Sequence, residues 1–135
     1  MSERPELEVV RAFYDGAING RDSSACERLL SEDFVHNGER RGRDGQRDAV
    51  DVFLTAFDPL QHRIEAIFGE DELVCARQTW SGRHTGDFMR IPASGKDVSF
   101  TSTAVLRVDG GLIAEAWDEV DLFGLFTQIG MPPDA

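Results

Sequence analysis

The hydrophobic pattern changes period once, near Gln61, and that change limits the fold to one broad class. Before it, apolar residues recur at helical spacing; after it, they alternate. Leu7, Val10, Tyr14 and Ala17, flanked by Phe13 and Ile18, form a stripe that predicts a helix from Pro5, with Asn19-Gly20 as its stop. Ser24-Ala25-Cys26-Glu27 has the form of a capping box opening a short second helix, with Leu29 and Leu30 inward. Phe34-Val35-His36 reads as a brief extended piece before Asn37-Gly38. Asp44 suits the cap of a third helix, in which Ala49, Val50, Phe53, Leu54 and Phe57 face a core and which Asp58-Pro59 closes.

Beyond Gln61 the alternation predicts four strands, over residues 62–68, 73–84, 97–108 and 112–120. Gly69-Glu70-Asp71-Glu72 is the first turn, residues 86–96 are a longer loop, and Asp109-Gly110-Gly111 reads as a tight hairpin. Leu122, Phe123, Leu125 and Phe126 predict a short closing helix, and Pro132-Pro133 marks the tail. Helices first and strands afterwards define a segregated α+β arrangement. Long antiparallel strands must twist, and a curved sheet wrapped around a helix leaves a concave pocket. The 135 residues fit one domain without repeat or linker.

The formal net charge of −11 argues against nucleic acid and anionic membrane surfaces, and favours a neutral or hydrophobic small molecule. No apolar run approaches membrane-spanning length. The opening Met1-Ser2-Glu3-Arg4-Pro5-Glu6 is polar, unlike a signal peptide. Cys26 and Cys75, far apart in sequence, read as free thiols of a cytoplasmic protein.

Asp118, beside Trp117, is the first candidate for chemistry. A carboxylate in a dry aromatic site has its charged form disfavoured and suits a general acid or base. The competing reading is a strand-end Asp facing solvent, or one paired with Arg77 or Arg107. Glu115 reads as solvated or paired across strands, and Glu119 and Asp121 as surface or capping groups. Trp80, Gly82 and His84 alternate onto one strand face, where a glycine beneath an aromatic often leaves room for a ligand. His84 is either a donor to a substrate oxygen or a structural histidine bonded to backbone. His36 and Asn37 end an extended segment and are candidates to reach the pocket, although Asn before Gly38 is also an ordinary turn residue. His62, among polar neighbours, is expected to face solvent. Metal ligation is not expected: the histidines are scattered, with neither His-x-His nor His-Glu-x-x-His spacing. No phosphate-binding glycine loop or nucleophile elbow occurs.

Several segments resemble the SnoaL-like polyketide cyclase family. They are Val9-Val10-Arg11-Ala12-Phe13-Tyr14, Glu32-Asp33-Phe34-Val35, Gly82-Arg83-His84-Thr85-Gly86-Asp87-Phe88 with Ile91-Pro92-Ala93-Ser94-Gly95-Lys96, and above all 109–121 through Leu125 to Gln128-Ile129-Gly130. The resemblance implies a cone-shaped α+β barrel of the nuclear-transport-factor-two type, with N-terminal helices packed on a strongly curved, mostly antiparallel sheet. It implies a homodimer or higher homo-oligomer and no cofactor. Family cyclases close a ring of anthracycline precursors by intramolecular aldol condensation, using a last-strand carboxylate six residues before a glycine; Asp118 and Gly124 fit that spacing. Family cyclases also carry a histidine on the preceding strand, and the position here is Thr103. Relatives with Thr-rich strands and a Trp-Asp-Glu-Val-Asp ending resemble hydroxylase-type tailoring proteins. The implied ligand is a hydrophobic aromatic molecule, with Asp118, His84 and His36 as catalytic candidates. Asn37, Trp80, Phe88, Met89, Phe100, Thr103 and Trp117 are the substrate-binding candidates. A non-catalytic ligand-binding or dimerisation module of the same fold is the alternative.

Overall fold

Helix α1 (Pro5–Tyr14) begins where proline's fixed backbone angle suits a first helical turn, and it buries Leu7, Val10, Phe13 and Tyr14. The computed structural model describes residues 3–133, so Met1 and Ser2 of the polar opening segment lie outside the described residues. A π-helical turn, Asp15–Asn19, continues α1 and buries Ala17 and Ile18. Helix α2 is short (Ala25–Leu29), and the expected capping box does not form. Ser24 gives α2 no side-chain cap and bonds Asp22 instead, its hydroxyl at 2.5 Å and its amide at 3.1 Å.

Strand β1 (Leu30–His36) is longer than the brief extended piece expected, because it has a partner. It pairs in parallel with β5 (Leu112–Val120), Val35 against Glu115 and His36 against Ala116. Helix α3 (Gly42–Ala56) starts two residues before Asp44, which sits in its first turn, where an acid complements the helix dipole. Strand β2 (Phe57–Glu70) then begins at once. The sequence read Asp58-Pro59 as a stop, yet the pair lies inside β2. The sheet order β1-β5-β4-β3-β2 explains this: β2 is an edge strand, where a proline forfeits no ladder bond. Strands β3 (Leu73–His84), β4 (Asp97–Asp109) and β5 follow in antiparallel succession. The sheet is therefore open and mixed rather than a closed barrel, with one parallel pair at β1.

Turn chemistry sets the β4–β5 register. Asp109 pairs with Leu112, and Gly110 and Gly111 have φ of 60° and 82°, the positive values a two-residue hairpin requires. After β5, Asp121 caps helix α4 (Leu122–Ile129) by accepting the Gly124 amide at 2.9 Å. A Cβ on Gly124 would sit 2.2 Å from the capping carboxylate, which accounts for glycine there. Gln128 then ties α4 to β4 through the Ser99 backbone, accepting its amide at 3.0 Å and donating to its carbonyl at 2.8 Å.

Helix α1 touches β2, β3, β4 and β5, so it lies across the sheet, while α3 covers β1 and the start of β2. The inward strand residues, among them Val74, Ala76, Phe100, Ala104, Leu106 and Ile113, meet these helices in one core. Among the described residues no helix is long and apolar enough to cross a membrane.

Gly82 does not make room for a ligand. Its missing Cβ would stand 2.4 Å from the Pro59 carbonyl oxygen, so the space is taken by the start of β2. Gly82→Ala should therefore force the two strands apart and cost about 1–3 kcal/mol, read as a lower urea midpoint at unchanged slope.

Candidate active site

A cavity of about 490 Å³ opens between α1, α3 and the inward face of the sheet. Its wall is aromatic. Trp80 on β3 and Phe100 on β4 face each other across neighbouring strands and stack, with centroids 5.8 Å apart and planes 3° from parallel. Phe53 of α3 packs on Phe88 at 5.2 Å and on Trp80 at 6.2 Å. The Trp80 indole nitrogen donates to Ser102 Oγ at 2.8 Å, so burying this ring leaves no donor unmet. Phe88 is delivered by the tight turn Phe88–Ile91, whose middle residues Met89 and Arg90 have φ of 48° and 66°. Met89 also reaches the cavity wall while half exposed.

Asp118 enters this wall from β5, opposite Ala104 of β4. Its Oδ1 is buried with no hydrogen-bond partner among the described residues, and its Oδ2 lies 3.9 Å from His36 Nε2. The alternative reading, an arginine-paired carboxylate, does not describe it: Arg107 pairs with Glu115 at 3.5 Å. Asn37 fixes Asp118 from behind. Its Oδ1 accepts the Asp118 amide at 2.7 Å and its Nδ2 donates to the Asp118 carbonyl at 3.2 Å. Asn37 and Gly38 have φ of 49° and 82° between the bridged residues His36 and Glu39, so Asn37 is both turn residue and clamp. At the rim, Arg41 donates to Gln46 Oε1 at 2.7 Å, its stem lying over Gly45, where a Cβ would come within 2.7 Å.

Three sequence candidates lie elsewhere. Trp117 is 42% exposed on the outer face of the sheet. It adjoins Asp118 in a regular strand, and neighbours in a strand cannot share a face. Thr103 likewise points outward, between the buried Ser102 and Ala104. The residue facing Asp118 across the ladder is Ala104, so neither position supplies a histidine. His84 is fully buried behind the wall and anchors the 85–96 loop. Its Nδ1 accepts the Ser94 amide at 3.1 Å, and Phe57 packs against its ring at 5.5 Å.

His62 reverses its expectation. It is 7% exposed, stacked on Tyr14 with centroids 4.2 Å apart and planes 9° from parallel, and it bonds through Nε2 to Gln78 Oε1. Its inward placement follows the plain alternation of the regular stretch 60–64, in which Leu60 and Ile64 share its face toward the core. Tyr14, Arg41 and Gln46 were also missed as cavity residues; Tyr14 read simply as part of a core stripe.

Cys26 and Cys75 are both free, and burial pushes the Cys26 thiol up to about 11. Among the described residues no three His, Cys, Asp or Glu are grouped to hold a metal ion.

The fold and the lined hollow define a cone-shaped α+β protein of the nuclear-transport-factor-two type. The SnoaL-like polyketide cyclase family matches residues 8–129, and the chain belongs to that family. It is similar to the aklanonic acid methyl ester cyclases DauD of Streptomyces sp. (strain C5) and DnrD of Streptomyces peucetius. The first is 28% identical over 95% of this chain and 83% of the relative, the second 27% identical over 94% and 92%. Among solved structures, TsrD from Streptomyces laurentii is 29% identical, covers 96% of this chain and 98% of its own, and superposes with a TM-score of 0.85.

Burial holds His62 below its ordinary pKa of 6.5, against the Gln78 bond and the Asp15 and Asp118 charges that raise it. The unfolded chain therefore takes up the proton first. This contribution to stability is complete above about pH 6.5 and is lost as pH falls towards the folded value. Urea midpoints between about pH 7 and about pH 5 should fall more steeply for wild type than for His62→Phe.

Proposed function

We propose that the chain is a single-domain tailoring enzyme of aromatic polyketide biosynthesis, acting in the cytoplasm, with Asp118 as the acid/base for an aldol-type ring closure. One observation carries this reading: a carboxylate whose Oδ1 is buried, without a partner among the described residues, in an aromatic cavity of about 490 Å³. That volume suits a polycyclic ligand. The kinship with two aklanonic acid methyl ester cyclases supports the substrate class.

In this mechanism Asp118 takes a proton from a carbon next to a carbonyl. The resulting enolate attacks a second carbonyl of the same molecule, a carbon–carbon bond forms, and the new alkoxide takes a proton back. No atom is gained or lost. His36, 3.9 Å from Asp118 Oδ2, orients the carboxylate, and Asn37 holds its backbone. Trp80, Phe100, Phe88 and Met89 exclude water and hold the flat rings.

Asp118→Asn keeps shape and loses the base. It should bind polycyclic ligand as wild type does and lower kcat about 10²–10⁴-fold. Product mass separates the chemistries: cyclisation leaves it unchanged, while hydroxylation adds one oxygen. Wild-type turnover by Asp118→Asn would sink the acid/base assignment. Binding without turnover across anthracycline-type intermediates would favour a ligand-binding module.

The partner surface follows from the same strand parity. Phe68, Cys75, Val105 and Trp117 stand in one row across β2, β3, β4 and β5 on the outer face. Phe68 is 63% exposed. Arg77 and Glu119 lie in the row to one side, and Arg107 and Glu115 in the row to the other. An apolar stripe between rows carrying both signs is self-complementary, as a two-fold interface requires. A homodimer through this face is therefore part of the proposal. Trp117→Glu should run as a monomer in size-exclusion chromatography with light scattering while keeping its circular dichroism.

A further inference from the structure

The start of α3 carries a polar pair into the cavity rim. Gln46 stands at helical spacing ahead of Ala49, Val50 and Phe53, and all four line the cavity, so the helix's own period turns this amide inward. Arg41 Nη1 donates to Gln46 Oε1 at 2.7 Å. A guanidinium can only donate, so the Gln46 oxygen faces it and the Gln46 Nε2 hydrogens are left for another acceptor. Gly45 makes the arrangement possible: a Cβ there would stand 2.7 Å from Arg41 Cγ, an atom too near the backbone to swing aside freely. Glycine weakens a helix, and here its missing side chain leaves the space in which the arginine stem lies.

The charge of this arginine is unspent. Arg40 and Arg47, on either side, pair with Asp33 and Glu27, while among the described residues no carboxylate pairs with Arg41, in a chain whose net charge is −11. Of the described residues that line the cavity it is the one basic side chain, and Asp118 and Glu119 are the acids. Arg41 Nε and Nη2 and Gln46 Nε2 make a set of donors without an acceptor among them. Such a set matches a group whose oxygens only accept. A carboxylate is that group: it takes two parallel bonds from a guanidinium fork and meets its charge. A neutral ester offers weaker acceptors and no charge.

We propose that Arg41 and Gln46 form a specificity site at the cavity rim, and that the ligand they select is a polycyclic aromatic carboxylic acid in its ionised form rather than the corresponding ester. Arg41 supplies the charge and the fork. Gln46 holds Nη1 and so fixes the plane in which the remaining donors point. Asp118 repels the same carboxylate, so the ligand lies one way round, with its acid group at the rim and a carbonyl-bearing ring toward Asp118. That orientation rests on the acid/base reading of Asp118 for its chemistry; the recognition needs only the cavity. DauD and DnrD are named for a methyl ester, and preference for the free acid sets this chain apart from them.

The probes are anthraquinone-2-carboxylate and its methyl ester, titrated by calorimetry into wild type, Arg41→Gln, Gln46→Leu and Gly45→Ala. Wild type should bind the acid about tenfold tighter than the ester, and that advantage should shrink as salt rises. Arg41→Gln should weaken the acid about tenfold and leave the ester unchanged. Gln46→Leu should weaken the acid by a smaller factor. Gly45→Ala keeps every charge and favours the helix, yet crowds the arginine stem, so it too should weaken the acid alone. Should Arg41→Gln fail to fold, Gly45→Ala carries the same comparison. Equal binding of acid and ester by wild type would reduce the pair to a surface hydrogen bond and overturn the proposal. A loss shared by both probes in Arg41→Gln, or no binding of either by wild type, would overturn it as well. Full turnover by Asp118→Asn beside an intact preference for the acid would overturn the acid/base reading alone.

Discussion

The site depends on the bond pair between Asn37 and the backbone of Asp118. Strand β1 is the first strand in the chain and β5 the last, and they pair in parallel at the sheet's edge. Parallel pairing gives no hairpin to fix the register. Asn37 supplies that restraint by occupying both the amide and the carbonyl of Asp118 from the turn that ends β1. Because that turn needs positive φ at Asn37 and Gly38, the local sequence aims the clamp before the distant strand arrives. The same geometry sets His36 beside the carboxylate. One side chain thus closes the edge, places the acid and brings its neighbour.

The two faces of the sheet divide the work, and parity decides which residue does which. Asp118 faces the cavity only because Trp117 faces away; a slip of one residue would exchange a carboxylate for an indole. The hairpin at Gly110-Gly111 and the Asp121 cap on α4 bracket β5 and resist that slip. The apolar stripe with Trp117 is therefore the necessary companion of an inward Asp118.

Much of the architecture was legible because it is local. The stripe of α1, the Gly-Gly hairpin, the cap of α4 and the long alternations of β3 and β4 each follow from spacing within a few residues. What was not legible depends on distant partners. Strand β1 looked like a fragment because its partner lies about eighty residues away in the chain. Pro59 looked like a stop because nothing local marks β2 as an edge strand. Asp118 stood out beside an indole, yet Trp117 and Thr103 were assigned to the same cavity against the alternation of their own strands. His62 looked exposed because its immediate neighbours are polar, although Leu60 and Ile64, two residues to either side, share its face toward the core.

That last case shows why composition alone misjudged the cavity. An aromatic pocket suits flat ligands but does not orient them. Orientation needs polar groups whose own bonds hold them still. Asp118 is held by Asn37 through its backbone, which leaves its Oδ1 unmet. His62 is held by Asn19 through its backbone, which leaves its ring for Gln78. In both places an asparagine takes up the main chain, so the side chain's own polar atoms are left to face the interior.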